Sequence, residues 1–295
     1  VVYNSLTGSL IHRLYKLIQS LRESKMTHVL ITGASGHLGR KLFDYLEERE
    51  NYEVIGLDIC CGDHSHIHYA DLTKSGTWEK YLEGIDVLVH LAADREPTAS
   101  WESAINNNMN ATLDLFHTAV KKRIKRVVFA SSNWLHGGYR FSDEILTPAL
   151  APFPVNAYGV AKLFGERAGH YFSTHHDLSV ICLRIGWTQW THNNQPGEHM
   201  GMGRWGQEMW LSDDDFISGT ECAIVAPNVP YTVLNLMSDN QGMRWDIETT
   251  RKIIGYKPTG RAIPYVPLFK KLQSWVFGVL VIRLPRFFAR KMNGW

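Results

Sequence analysis

What this chain lacks narrows its possible roles. Only four cysteines occur in 295 residues, Cys60, Cys61, Cys182 and Cys222, and they stand at neither zinc-site nor disulfide-framework spacing. No metal is expected, and a reduced, cytoplasmic protein is the simple reading. An excess of one charge is also missing: 31 Lys and Arg against 29 Asp and Glu leave no global field that would draw nucleic acid. The apolar run from Trp275 to Leu284 is interrupted by Gly278 and Arg283. It falls well short of the roughly 20 residues that cross a bilayer. Aromatics, by contrast, are plentiful: ten Trp, concentrated after residue 185, predict a broad aromatic wall in the C-terminal part.

The stretch that organises the rest is HVLITGASGHLG, His28 to Gly39. An apolar strand runs into Gly33, Gly36 and Gly39, and a helix follows. Glycines at this spacing let the backbone turn tightly and approach a pyrophosphate at the helix N-terminus, where amide groups point outward unpaired. A second strand ends in Asp58, an acid suited to the hydroxyls of an adenosine ribose.

From 28 to 131 strands and helices alternate: strands 28–32, 53–58, 86–91 and 126–131, helices 37–49, 75–83 and 99–122. Near-continuous apolar strands in that alternation predict an α/β, doubly wound parallel sheet of Rossmann type. Ligands on such sheets bind beyond the carboxyl ends of the strands, here Gly33, Asp58, Asp71, Ala92 with Ala93, and Ser131 with Ser132. His64, His66 and His68 alternate before Asp71, and an exposed role without a ligand is expected for them.

Tyr158 and Lys162 lie in NAYGVAKLFGE, on a helix expected from 157 to 175. A spacing of four puts both on one face. An ammonium beside a phenol favours the phenolate, a base that can take a hydroxyl proton while a hydride leaves the same carbon. Ser132, at a strand end, is placed to hold that hydroxyl.

In order, TGASGHLG, Asp71-Leu72, VHLAA, NNNMNAT, VVFASSN, YGVAK and LRIG resemble the motifs of extended short-chain dehydrogenases/reductases over about residues 27 to 260. The resemblance implies NAD, held by Gly33, Ser35, Gly36, His37, Leu38 and Gly39 and by Asp58, with adenine near Asp71 and Leu72. Leu91, Ala92, Ala93, Asn108 and Ile185 would line the rest of the cofactor site together with Tyr158 and Lys162. Ser132, Tyr158 and Lys162 would be the catalytic set. GQEMWLSDDDF, SDNQGMRWD and IIGYKP are similar to hexuronate dehydrogenases and archaeal NAD-dependent glucose-6-phosphate dehydrogenases, which oxidise the anomeric carbon of a sugar acid or sugar phosphate to a lactone. That similarity implies substrate contacts from Arg95, Ser132, Asn133 and Trp134, with Arg204 on the anionic end. The sequence departs from this subgroup at Trp134, where a His is usual, and in a longer loop from Thr188 to Arg204. Two other readings stay open: a nucleotide-sugar epimerase or dehydratase with tightly bound NAD, and an NAD-binding regulator without turnover.

Four segments are expected: an amphipathic basic extension (1–25), the NAD-binding domain with the catalytic helix (26–185), a small substrate lobe (186–262) and an apolar, basic tail (263–295). In the lobe, Trp187, Trp190 and Trp205 either stack on a sugar or pack in a core. Ser212 is expected to cap a helix over 216–226, with a strand at 232–236 and a helix at 246–254 ended by Gly255. The termini offer weak membrane-surface contact, packing or self-association. Family members often pair through two long helices, here 99–122 and 157–175, so a homo-oligomer with a small sugar substrate is expected.

Overall fold

The computed structural model describes residues 26–62, 64–190, 193–195 and 204–262, with Phe269 and Leu272. The readings for 1–25, for the rest of 263–295 and for most of the loop from 191 to 203 lie outside the described residues.

Among the described residues seven strands form: Thr27–Thr32 (β1), Tyr52–Asp58 (β2), Ile67–Tyr69 (β3), Val87–His90 (β4), Arg126–Ser132 (β5), Ser179–Ile185 (β6) and Tyr231–Leu236 (β7). They pair in parallel in the order β3-β2-β1-β4-β5-β6-β7. The helices are His37–Glu47 (α1), Ala111–Lys121 (α2), Ala157–His175 (α3), Arg204–Glu208 (α4), Asp213–Val225 (α5) and Glu248–Ile254 (α6). This is the expected Rossmann-type α/β sheet. The strand order reverses between β1 and β4, which opens a crevice at their carboxyl ends.

Strand alternation sends side chains into two cores. Val29 and Ile31 of β1 join Phe43 and Leu46 of α1 and Phe216 of α5 on one face. Leu30 and Leu88 join Phe116 of α2 and Phe172 of α3 on the other. A third cluster, Leu146, Trp205, Met209, Met237, Trp245 and Ile247, forms the small lobe's core. Among the described residues no helix is long and apolar enough to cross a membrane.

The structure departs from the sequence reading at particular elements. The helix expected at 75–83 is only a 3₁₀ turn, Glu79–Leu82, because Gly76 adopts φ +86° and the Glu79 carboxylate accepts the Trp78 amide proton. The helix expected at 99–122 begins as one turn, Trp101–Ser103, widens to a π-helix over Ala104–Asn110 and tightens into α2. β3 and the 3₁₀ segment Asn133–Tyr139 were not anticipated. The strand assigned to the small lobe is β7 of the main sheet, registered on β6 from Val180↔Tyr231 to Ile185↔Leu236. Leu234 and Leu236 are fully buried there.

Local chemistry explains several ends. The Ser212 hydroxyl accepts the Asp215 amide proton at 3.1 Å, capping α5 as expected, with Asp213, Asp214 and Asp215 in its first turn. Gly255, at φ +74°, closes α6. His64 and His66 both reach Glu47, at 3.2 and 2.7 Å, while His68 stacks on Tyr81.

α3 lies tight on β5. A Cβ at Gly165 would stand 2.2 Å from the Phe129 ring. Gly165→Ala is therefore expected to destabilise the protein by about 1–3 kcal/mol through overpacking, against the helix preference of Ala; urea unfolding measures it, and a more stable variant would contradict the close approach.

Candidate active site

The crevice is built from the glycine turn outward. Gly33 sits at φ +72°, and a Cβ there would come 2.8 Å from the Ala92 amide nitrogen. A Cβ at Gly39 would stand 1.9 Å from the Gly33 carbonyl oxygen. Only glycine permits either approach. Gly36 precedes α1 without any side-chain cap, and no acid stands in the first turn, so the helix N-terminus presents bare amides. Ser35 Oγ and His37 Nε2 are buried without partners. Burial, followed by the charge of Lys41, pushes the His37 imidazole down to about 4. A neutral ring and unpaired amides form an uncapped cradle that fits a dinucleotide's pyrophosphate.

Asp58 ends β2 beside this cradle. Its carboxylate accepts the Ser35 amide proton at 3.0 Å and the Cys60 amide proton at 3.0 Å, which fixes a negative charge next to the turn. Asp71 accepts the Thr73 hydroxyl at 2.6 Å and pairs with Lys74, which holds it below the usual carboxylate range; Leu72 beside it is buried. Leu91 and Ala92 hang from Thr32 through the Thr32 carbonyl and hydroxyl, at 3.1 and 3.3 Å. Leu38 packs against the core behind the turn, and Ile185 ends β6. Asn108 grips the next residues along: its Oδ1 accepts the Asp94 amide proton at 2.7 Å and its Nδ2 donates to the Asp94 carbonyl at 2.8 Å. Its amide thus holds the loop after β4, in which Ala93 immediately precedes Asp94.

Ser132, Tyr158 and Lys162 come together across β5 and α3, all buried. Asn156 caps α3 by accepting the Gly159 amide proton at 2.7 Å, so the helix starts one residue before Tyr158. Burial pushes the phenol up to about 12, with the hydrogen bond from Ser132 the largest opposing influence. Lys162 Nζ lies 5.7 Å from the centre of the Tyr158 ring, and burial pushes its ammonium down to about 8. This corrects the expectation that lysine makes the tyrosine acidic. Burial governs both groups, and Lys162 is the one whose proton is loosely held.

Asn133 donates to the Ile185 carbonyl at 3.1 Å, and its buried Oδ1 has no partner. Trp134 donates its amide proton to Ser132 Oγ at 3.2 Å. Trp187 and Trp205 pack in or against the third core, whereas Trp190 is 66% exposed and carries the Arg95 guanidinium 3.6 Å from its ring centre. Arg204, expected on the substrate's anionic end, is instead bonded to Asp143 and Glu208.

The sequence reading missed a buried assembly behind this set. Glu166, one turn beyond Lys162, accepts Ser131 Oγ at 2.6 Å and the Arg184 fork at 2.8 and 2.9 Å. Arg184 also meets His136 Nε2 at 2.7 Å. The available signal was a charged residue inside the apolar strand SVICLRI, which burial obliges to have a partner.

With this geometry in view, comparison with known proteins gives concordant results. The NAD dependent epimerase/dehydratase family matches residues 29–188. An NAD-dependent glucose-6-phosphate dehydrogenase of Haloferax volcanii is 31% identical over 78% of this chain and 92% of its own. An L-arabinose 1-dehydrogenase (NAD(P)(+)) of the same organism is 33% identical over 79% of this chain and 96% of its own. The crystal structure of uronate dehydrogenase from Agrobacterium tumefaciens superposes with a TM-score of 0.70 at 26% identity, covering 82% of this chain and 92% of that one.

Lys162 sets a pH signature on stability. Below about pH 8 it is protonated both folded and unfolded, so the cost of burying its charge is fully present; between 8 and 10.5 the folded state alone sheds the proton and the cost fades. Lys162→Met is expected to be more stable than wild type at pH 7, by an amount on the order of 3 kcal/mol, with the gain vanishing towards pH 10.5. Denaturant unfolding across that range checks the sign.

Proposed function

The chain belongs to the NAD-dependent epimerase/dehydratase family, and from that premise we propose that it is an NAD-dependent dehydrogenase oxidising the anomeric hydroxyl of an anionic aldose, a hexuronate or hexose 6-phosphate, to a lactone. The observation that carries this reading is the buried meeting of Ser132, Tyr158 and Lys162 beside an uncapped glycine cradle. Sugar dehydrogenases among its relatives support it.

Gly33, Gly36, Gly39 and the first amides of α1 would hold the pyrophosphate, and Asp58 the adenosine ribose. NAD, when bound, supplies the hydride acceptor. The protein's own groups handle the proton and the geometry. Ser132 Oγ holds the C1 hydroxyl, and the partnerless Asn133 Oδ1 is suited to a neighbouring sugar hydroxyl. Tyr158 takes the C1 proton, and Lys162 beside it gives the pair a site that exchanges protons near neutrality. Burial around the pair excludes water that would compete for the proton.

Two further parts of the reading are proposals of the same kind. Exposed Trp101, Ile105 and Tyr171 on the helices around α2 and α3 suit self-association of the chain. The four free cysteines suit a reducing compartment, the cytoplasm.

Purified protein with NAD and a panel of hexuronates, hexose 6-phosphates and neutral aldoses should form NADH in proportion to sugar consumed. Tyr158→Phe is expected to lower kcat/KM by about 10²–10⁴-fold. Retained NAD with sugar-nucleotide interconversion, or binding without turnover, would reject the reading. The Asp58 charge is expected to favour NAD over NADP, and Asp58→Ala to raise the NADP-to-NAD ratio of kcat/KM by about tenfold or more, as relief of like-charge repulsion requires; unchanged selectivity would remove Asp58 from the ribose site.

A further inference from the structure

An anionic sugar needs a cation whose hydrogen-bonding edge is available, and Arg95, Arg184, Arg204 and Arg244 differ sharply in this respect. Arg244 is buried and held by Glu208 at 2.8 Å and by the Tyr139 carbonyl at 3.0 Å. Arg184 is forked onto Glu166. Arg204 joins Asp143 to Glu208, so its charge is matched on both sides. Arg95 has a loose ion pair, to the exposed Glu96 at 3.8 Å, and its side chain is 50% exposed.

Resting on the dehydrogenase reading above, we propose that Arg95, laid flat on the Trp190 indole, is the residue that recognises the carboxylate or phosphate of the sugar substrate. The root of its loop is fixed. Asn108 clamps the preceding peptide at Asp94 from both sides, and Ser103 bonds the Asp94 carboxylate, so Arg95 projects from a defined point just past β4. Its guanidinium lies 3.6 Å from the Trp190 ring centre, and His37 meets that indole at 5.2 Å. A cation–π contact uses the face of the guanidinium and leaves its in-plane N–H groups free for a bidentate oxyanion. The stack orients the fork without occupying it.

The location suits this role. Arg95 shares the Trp190 indole with His37 of the cofactor cradle, and its charge reaches both the His37 ring and the Tyr158 phenol. Asp94 and Glu96 flank it and also act on the phenol. Without the arginine the loop is purely acidic and repels an anion; with it the loop offers one oriented cation. Discrimination between anionic and neutral sugars thus resides in a single side chain on a stacked support.

The test compares kcat/KM for D-glucuronate, D-glucose 6-phosphate and D-glucose in wild type, Arg95→Gln, Arg95→Lys and Arg204→Gln. Arg95→Gln is expected to lower kcat/KM for the preferred anionic sugar by about 10- to 100-fold, the range of a charged hydrogen bond. The value for D-glucose, which registers only the loss of the Arg95 charge near the phenol, should fall far less than that for the anionic sugar, and the KM for NAD should stay within about twofold, the natural scatter around an untouched interaction. Arg95→Lys should recover part of the loss, and Arg204→Gln should leave the anionic-to-neutral ratio unchanged. Equal losses on all sugars, a raised KM for NAD, or loss of the ratio in Arg204→Gln instead would overturn the assignment to Arg95 while leaving the dehydrogenase reading intact. A wild type that oxidises none of the three sugars would overturn both.

Discussion

The arrangement depends on one buried ion pair. Glu166 and Arg184 are 3% and 2% exposed, and a fork of two hydrogen bonds joins them. Taking both charges out of water costs several kcal/mol per ion, so the pair is tolerable only because its remaining valences are filled. Ser131 completes Glu166, and His136 and the Pro148 carbonyl complete Arg184. His136 accepts from the arginine only as a neutral ring, and burial followed by the Arg184 charge holds it down to about 3. The result is geometric. Ser131 adjoins Ser132 on β5, Glu166 is one turn from Lys162 on α3, and Arg184 adjoins Ile185 on β6. A single locked fork therefore fixes β5, which carries the hydroxyl, and α3, which carries the phenol and the ammonium, against β6, which ends at Ile185.

A second assembly of the same type organises the substrate half. Glu208, 1% exposed, lies between Arg204 and Arg244, and the Asn240 amide reaches back to the Glu208 and Trp210 carbonyls. Asp215 plays a comparable part at the base of α5, accepting the amide protons of Thr259 and Gly260 at 2.7 and 3.0 Å. These carboxylates stitch loops to the sheet edge, which is why the lobe needs only a small aromatic core. They also tie up Arg204 and Arg244 in ion pairs within the fold.

The legibility of the chain follows from the range of the forces involved. β1, the glycine turn and α1 were readable because their signals are local: an apolar run, three glycines and an amphipathic helix within HVLITGASGHLG. The Tyr158–Lys162 face was readable for the same reason. The π-helix at Ala104–Asn110 was not, since nothing in AINNNMN announces the extra residue per turn. Its explanation is tertiary: Asn108 must face the Asp94 peptide across the crevice. β7 was misplaced because a strand's identity is local but its neighbour is not. The ion pair of Arg204 with Glu208, four residues on, was legible in RWGQE, at the spacing where helical ion pairs form.

Electrostatics at the crevice also refines the chemistry expected of the tyrosine and lysine. Both are buried, and burial disfavours the charged form of each, so the ligand-free pair moves towards neutral phenol and neutral amine. A phenol at about 12 is a poor acceptor by itself near neutral pH. The local charges are divided: Ser132 and Arg95 favour the phenolate, Asp94 and Glu96 oppose it. The base strength available to a substrate hydroxyl is therefore set first by burial and then adjusted by Ser132 and by the charges of the loop after β4. That loop is held by Asn108, which stands in the π-helix, so an irregular turn places charges that act on the phenol. Pinning this loop is the part that the π-helical segment plays at the crevice.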